Sequence, residues 1–248
     1  MASPHLLTPL IDLVFPPRCP LCGDAVAEQG GLCAACWQTL PAPGEPACAL
    51  CQRPMPDTVT PGEGAICAPC MKEPPRHDGI AAATLYAESS RKLVLALKHG
   101  RKLALATLLG RIMASRMPPL DGDWLVVPVP LHRWRIWRRG FNQSDLLAEH
   151  IARARGAVLA VDALQRHRAT PSLGGLSRRE RAVALKGAIV ANARWRERLR
   201  GARVLLVDDV MTSGATTDAC VTALRKIGVG QVRIACFARV IDEVLPPA

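Results

Sequence analysis

Residues 203–217 read Arg-Val-Leu-Leu-Val-Asp-Asp-Val-Met-Thr-Ser-Gly-Ala-Thr-Thr, an apolar run closed by two carboxylates and followed by a small-residue loop. Val204 to Val207 has the length and Val/Leu content of a strand buried on both faces, and Thr216 to Ile227 has helical periodicity. A strand, an acidic pair, a loop and a helix in this order predict an open α/β sheet. Ligands of such sheets bind outside the carboxyl ends of the strands, where the first turn of the next helix offers free N–H groups to an anion. Gly214, Ser213 and Ala215 leave room for backbone amides to approach a phosphate, and the hydroxyls of Thr212, Ser213, Thr216 and Thr217 add donors. Asp208 and Asp209 beside a phosphate cradle need neutralising partners. Ribose hydroxyls, which donate hydrogen bonds, and Mg2+, which prefers oxygen ligands, both meet that need. Helix capping would explain one acidic residue but not the chemistry of the whole loop.

The stretch resembles the phosphoribosyl pyrophosphate (PRPP) motif of type I phosphoribosyltransferases. The resemblance implies that Asp208 and Asp209 hold the ribose hydroxyls, and that Met211, Thr212, Ser213, Gly214, Ala215 and Thr216 hold the 5′-phosphate.

Eight of the ten cysteines form four Cys-x-x-Cys pairs: Cys19 with Cys22, Cys33 with Cys36, Cys48 with Cys51, and Cys67 with Cys70. Two thiolates so spaced reach one tetrahedral Zn2+, and two pairs complete a closed structural site. Eight sulfurs therefore predict two zinc sites. Sequential pairing is simplest, and spacing also permits a cross-braced arrangement. A disulfide framework would need an oxidising compartment. The chain shows no charged start followed by an apolar core and cleavage site, and its longest apolar runs fall short of a membrane span, so a cytoplasmic zinc protein is expected. Iron–sulfur ligation is the lesser alternative. Cys220 and Cys236, on a helix and a strand with apolar neighbours, read as buried small hydrophobes.

Charge divides the chain. Residues 1–75 carry three basic and seven acidic side chains and residues 76–248 carry 29 and 14, so the net charge of +11 splits as −4 and +15. The first segment is too poor in aromatics and long apolar runs to fold by burial alone, so metal binding would supply its folding free energy. The expected boundary is Glu73-Pro74-Pro75-Arg76, giving a metal module over 1–75 and an α/β domain over 76–248. Pro54 to Pro61 reads as a loop inside the second ribbon.

Ile80 to Tyr86 reads as a strand, Ser89 to Met117 as one or two helices interrupted near Lys98-His99-Gly100-Arg101, and Trp124 to Val129 as a second strand. Pro130 to Ser144 follows, with Arg133, Arg135, Arg138 and Arg139 set among Trp134, Trp137 and Phe141. Four arginines among aromatics just after a parallel strand make a phosphate-binding loop, a nucleic-acid surface, or both. Asn142 or Ser144 can cap a helix running to about Arg155. Val158 to Leu164, Ala202 to Val207 and Val232 to Val240 complete the strands of a parallel sheet.

Cysteine pairs, then Val-Pro-Val-Pro with Arg-Arg-Gly-Phe-Asn-Gln-Ser, then Val-Asp-Asp-Val-Met-Thr-Ser-Gly-Ala-Thr, resemble the ComF family over nearly the whole chain. The resemblance implies a double zinc ribbon fused to a parallel-sheet type I phosphoribosyltransferase fold. It also implies PRPP with Mg2+ as ligand, a role in natural competence and the handling of incoming single-stranded DNA, and contacts with competence-machinery proteins. Val127 to Arg133 would be the pyrophosphate-side loop, with Arg133 among the PRPP contacts, and Arg166 to Ile189 a flap over the site. Within the flap Arg168, Thr170, Leu176, Ser177, Arg178, Arg181, Gly187 and Ala188 match the family. Leu173, Ala184 and Ile189 stand where it commonly has Gln, Asn and Phe. Two function classes follow: a module that binds PRPP as a ligand, and an enzyme that transfers phosphoribose to a nitrogenous acceptor.

Overall fold

The structure, a computed structural model, describes residues 15–60, 62, 64–99, 104–170 and 177–241. Its centre is β6 (Arg203–Met211), flanked by β7 (Gln231–Arg239) and β2 (Trp124–Pro128). With β1 (Ile80–Leu85) and β3 (Val158–Leu159) they form one sheet in the order β1-β7-β6-β2-β3, parallel throughout. Leu205 and Val207 point into one core and Val204 and Leu206 into the other, so β6 is apolar at every step of the run. The strand continues through Asp208 and Asp209 to Met211, because β7 runs beside it from Val207↔Ala235 to Met211↔Arg239.

One face is covered by α3 (Glu88–His99), α4 (Ala104–Arg116) and α6 (Gln143–Arg155), through Leu93, Leu97, Leu109, Met113, Leu147 and Ile151. The other is covered by α9 (Ala215–Lys226), through Cys220, Val221 and Leu224, and by the short α8 (Arg196–Leu199), through Leu199. The interruption expected near Lys98 separates α3 from α4; Gly100 and Arg101 lie outside the described residues.

Two local expectations change. The single strand over Val158 to Leu164 is two pieces: β3 pairs with β2, whereas β4 (Leu164–Arg166) pairs antiparallel with β5 (Ile189–Ala191). Asp162 makes the break, its carboxylate accepting from the Trp195 indole at 2.6 Å and the Asn192 amide at 3.0 Å. Arg133–Arg139 is a helix, α5, rather than loop; the His132 ring accepts from the Trp134 amide and Gly140 closes the helix at φ +88°. The segment expected to form a flap contains α7 (Arg178–Leu185), opened by a capping box between Ser177 and Glu180. Leu173 and Leu176 lie outside the described residues.

In the cysteine-rich segment, α1 (Ala34–Gln38) and α2 (Ala68–Lys72) each follow a cysteine at the N-cap, Cys33 and Cys67. This segment covers the sheet's edge strand. The Leu85 amide donates to Pro41 O at 2.8 Å, the Ala82 amide to Gln52 Oε1 at 2.6 Å, and Leu40 is buried in the α/β core. An edge that would otherwise present free N–H groups is thereby closed.

Candidate functional site

The end of β6 sets two carboxylates side by side, Asp208 half-buried and Asp209 buried. Asp208 Oδ1 accepts from the Asp209 amide at 2.9 Å and from Ser144 Oγ at 3.1 Å. Ser144 is free for this because Asn142 is the cap: its Oδ1 accepts from the Ser144 amide, while its Nδ2 donates to Val129 O and to Asp145 Oδ1. The Gly-Phe-Asn-Gln-Ser stretch thus ties the end of β2 to the acidic pair. Lys98, near the end of α3, brings Nζ to 2.9 Å from Asp209 Oδ2. Arg139 donates to Gln143 Oε1 at 2.8 Å and lies close enough to Asp209 for the two charges to interact.

Burial, and then the neighbouring Asp209 charge, push the Asp208 carboxyl up to about 7; Lys98, the Asp209 amide and the Ser144 hydroxyl act against that rise. Asp208 is therefore poised to gain or lose its proton according to what binds beside it.

Thr212 to Gly214 form the loop between β6 and α9, with Gly214 at φ +79° as the residue preceding the helix. A Cβ at Gly214 would lie 3.1 Å from Met211 Cε, so both backbone angle and space favour glycine. α9 directs its free N-terminal amides and the positive end of its dipole at the loop. Arg181 crosses from α7, its Nη1 lying 3.1 Å from Thr212 Oγ1 and 3.3 Å from Ser213 Oγ. Arg181, Asp208 and the loop bound a small cavity of about 50 Å³. Thr217 is not a donor to this cavity, because its hydroxyl is committed to Gly214 O at 2.7 Å.

Asp208, Asp209 and residues 211–216 are thus brought together, and Ser144, Lys98 and Arg181 join them. Lys98 had shown only as part of a helix break and Arg181 only as a family match. α5 brings Arg139, at its end, within reach of the Asp209 charge, whereas Arg133 is exposed, Trp134 is 63% and Trp137 80% exposed, and the two indoles meet edge to face at 6.0 Å.

The cysteines form two sequential clusters, Cys19, Cys22, Cys33 and Cys36, and Cys48, Cys51, Cys67 and Cys70, with all four sulfurs of each within 4.8 Å of one another. Cys22 and Cys33, and likewise Cys51 and Cys67, are 3.6 Å apart. Four sulfurs about 2.3 Å from a tetrahedral Zn2+ are separated by about 3.8 Å, so both clusters fit structural zinc. The cross-braced arrangement is excluded. Cys220 and Cys236 are fully buried, and burial pushes the Cys236 thiol up to about 12.

Residues 10–71 match the double zinc ribbon domain and residues 147–247 the phosphoribosyl transferase domain. DNA utilization protein YhgH of Salmonella typhimurium is 31% identical over 90% of this chain and 90% of its own length. The chain belongs to the ComF family. Its relatives include YhgH of Escherichia coli K12, 30% identical over 92% of this chain and the whole of that protein, and competence protein F of Haemophilus influenzae, 29% identical over 90% and 96%. The family's two parts correspond to the cysteine clusters and the parallel sheet. Among the described residues no helix is long and apolar enough to cross a membrane.

Proposed function

We propose that this ComF-family protein binds PRPP at the end of β6 and acts in the cytoplasm in the use of incoming single-stranded DNA. Asp208 and Asp209 take the ribose hydroxyls, and Met211 to Thr216, together with Arg133, take the phosphates. The observation that carries this reading is the carboxylate pair set directly before an arginine-braced, glycine-hinged loop at a helix N-terminus. Mg2+ would accompany the pyrophosphate, and the carboxylates offer the oxygen donors it prefers. In this reading residues 1–75 are the metal module and 76–248 the ligand-binding domain, joined at Glu73 to Arg76. The exposed Trp134 and Trp137, with Arg133, Arg135, Arg138 and Arg139 on the same short helix, serve as the single-strand surface. The names of the relatives, DNA utilization protein and competence protein, support the cellular role and make competence-machinery proteins its expected partners.

Calorimetric titration of the zinc-loaded chain with PRPP and Mg2+ tests the ligand. The parent should bind, and the Asp208→Asn/Asp209→Asn variant should bind at least tenfold more weakly, since each lost charge-assisted hydrogen bond contributes roughly 1.5–3 kcal/mol. Equal affinity in the folded variant refutes the site. Isotope-traced release of pyrophosphate across candidate bases would instead identify a phosphoribosyltransferase, in which Asp208 and Asp209 orient the ribose as positive charge develops on it.

A further inference from the structure

A second cavity, of about 530 Å³, opens between the second zinc ribbon and the α9 face of the sheet. Arg53 and Cys70 reach it from the ribbon, Arg76 and His77 from the linker, and Arg239 from the end of β7. Met211 to Gly214 bound both this cavity and the small one beside Asp208, so the phosphate loop is a wall common to the two. Arg239 Nε and Nη1 are buried here without a hydrogen-bond partner. Donors of a buried guanidinium left in that state are costly, and the chemistry that satisfies them is an oxyanion with several acceptor oxygens.

The surroundings narrow the ligand further. Three guanidinium groups, Arg53, Arg76 and Arg239, line the cavity together with the carboxylates of Glu73 and Asp218. His77 is 6% exposed and its Nδ1 accepts from the Gly79 amide at 3.3 Å. Burial, and then the Arg239 charge, push its imidazole down to about 4, so near neutral pH it is uncharged and Nε2–H is a donor without added charge. Pro69, Pro74, Pro75 and Ile80 supply apolar wall. A bare phosphate would leave most of this volume unfilled, whereas a nucleotide-sized body suits a cleft within the usual range of about 300–1,000 Å³.

We infer that the cleft between the second ribbon and the phosphate loop is a separate site for a phosphoryl group carried on a nucleotide, held by Arg239 with Arg53 and Arg76. The nucleotide is either free or the 5′-phosphorylated end of a DNA strand. The site does not depend on PRPP binding, since beyond the shared loop it uses Arg53, Arg76, His77 and Arg239 and neither Asp208 nor Arg181.

The test is calorimetric titration of the zinc-loaded full chain with thymidine 5′-monophosphate, and with 5′-phosphorylated and 5′-hydroxyl oligothymidylates, each with and without saturating PRPP and Mg2+. A phosphorylated probe should bind in the presence of PRPP; binding by the mononucleotide identifies the free ligand, and binding by the phosphorylated oligomer alone identifies the strand end. Arg239→Met should weaken that binding at least tenfold while leaving PRPP affinity unchanged. Arg181→Met, on the other side of the loop, should change it less than twofold. Arg76→Met, on the exposed linker, serves if Arg239→Met fails to fold, and should weaken binding at least threefold. The site is refuted if neither phosphorylated probe binds, if 5′-hydroxyl and 5′-phosphorylated oligomers bind equally, or if Arg181→Met abolishes binding that the Arg239 and Arg76 variants retain. Loss of PRPP binding alone would remove the loop reading and leave this one standing.

Discussion

Lys98 Nζ lies 2.9 Å from Asp209 Oδ2, joining the end of α3 to the end of β6 in a pair whose side chains are 24% and 9% exposed. The lysine supplies the positive charge that two adjacent carboxylates require, and it comes from a residue more than a hundred positions earlier in the chain. Breaking a buried pair strands one charge, at a cost of roughly 3–5 kcal/mol, whereas removing both partners costs less. Lys98→Met should therefore lower unfolding free energy by about that amount, and adding Asp209→Asn should recover much of it. Denaturant unfolding of the four proteins of this cycle gives the coupling directly. Additive losses in the two single variants would mean that the contact carries no mutual stabilisation.

The raised Asp208 carboxyl makes stability depend on pH with a definite sign. Its ordinary value is 3.8 and its folded value about 7, so across that window the folded protein holds a proton that the unfolded chain has lost. This contribution to stability is greatest below the lower value and is lost as pH rises to about 7. PRPP binding should move the other way, strengthening as Asp208 ionises to accept from ribose hydroxyls. Unfolding free energies and PRPP affinities measured from pH 5 to 8 should show both slopes relative to Asp208→Asn, which lacks this titration. Parallel profiles for parent and variant would contradict the assignment.

Sequence disclosed what is contiguous and withheld what is assembled. Asp208, Asp209 and the loop to Thr216 lie in one stretch, and each metal cluster is spelled out by two Cys-x-x-Cys pairs, so both were legible from residue type and spacing. Lys98 and Arg181 reach the site from α3 and α7, and nothing local to either residue marks that approach. Helix α5 escaped because periodicity is recognised through a buried face, and Trp134, Ile136 and Trp137 are all exposed. The cover over β1 was also hidden: its acceptors are one glutamine side chain and one proline carbonyl, neither of which forms a motif.

That cover yields a prediction about metal removal. Purified protein should contain about two zinc ions per chain, and chelation should release the first ribbon's Pro41 and the second ribbon's Gln52 from β1. Hydrogen exchange at the Leu85 and Ala82 amides, which donate to these acceptors, should accelerate on chelation, while the amides of the central strand β6 remain protected. Unchanged exchange at both edge amides in the zinc-free protein would show that the ribbons are not needed to close the edge.

The exposed indoles of α5 give the sharpest test of the DNA-handling role. Trp134 and Trp137 stand three residues apart on one short helix, 63% and 80% exposed, among arginines that offer counterion release. The edge of one indole covers part of a face of the other, the remaining ring surface lies in water, and base–aromatic stacking contributes roughly 1–3 kcal/mol per base. Trp134→Ala/Trp137→Ala should thus weaken single-strand binding by that amount per stacked base at fixed salt, with little change for duplex, whose bases are already stacked. Because both side chains are largely in water, the fold should tolerate the change, and circular dichroism can verify that it does. Charge reversal at Arg138 should instead weaken both forms of DNA and reduce the dependence of affinity on salt. Fluorescence anisotropy with labelled oligothymidylate separates these effects, and a folded double variant that binds single strands as tightly as the parent would rule out stacking on α5.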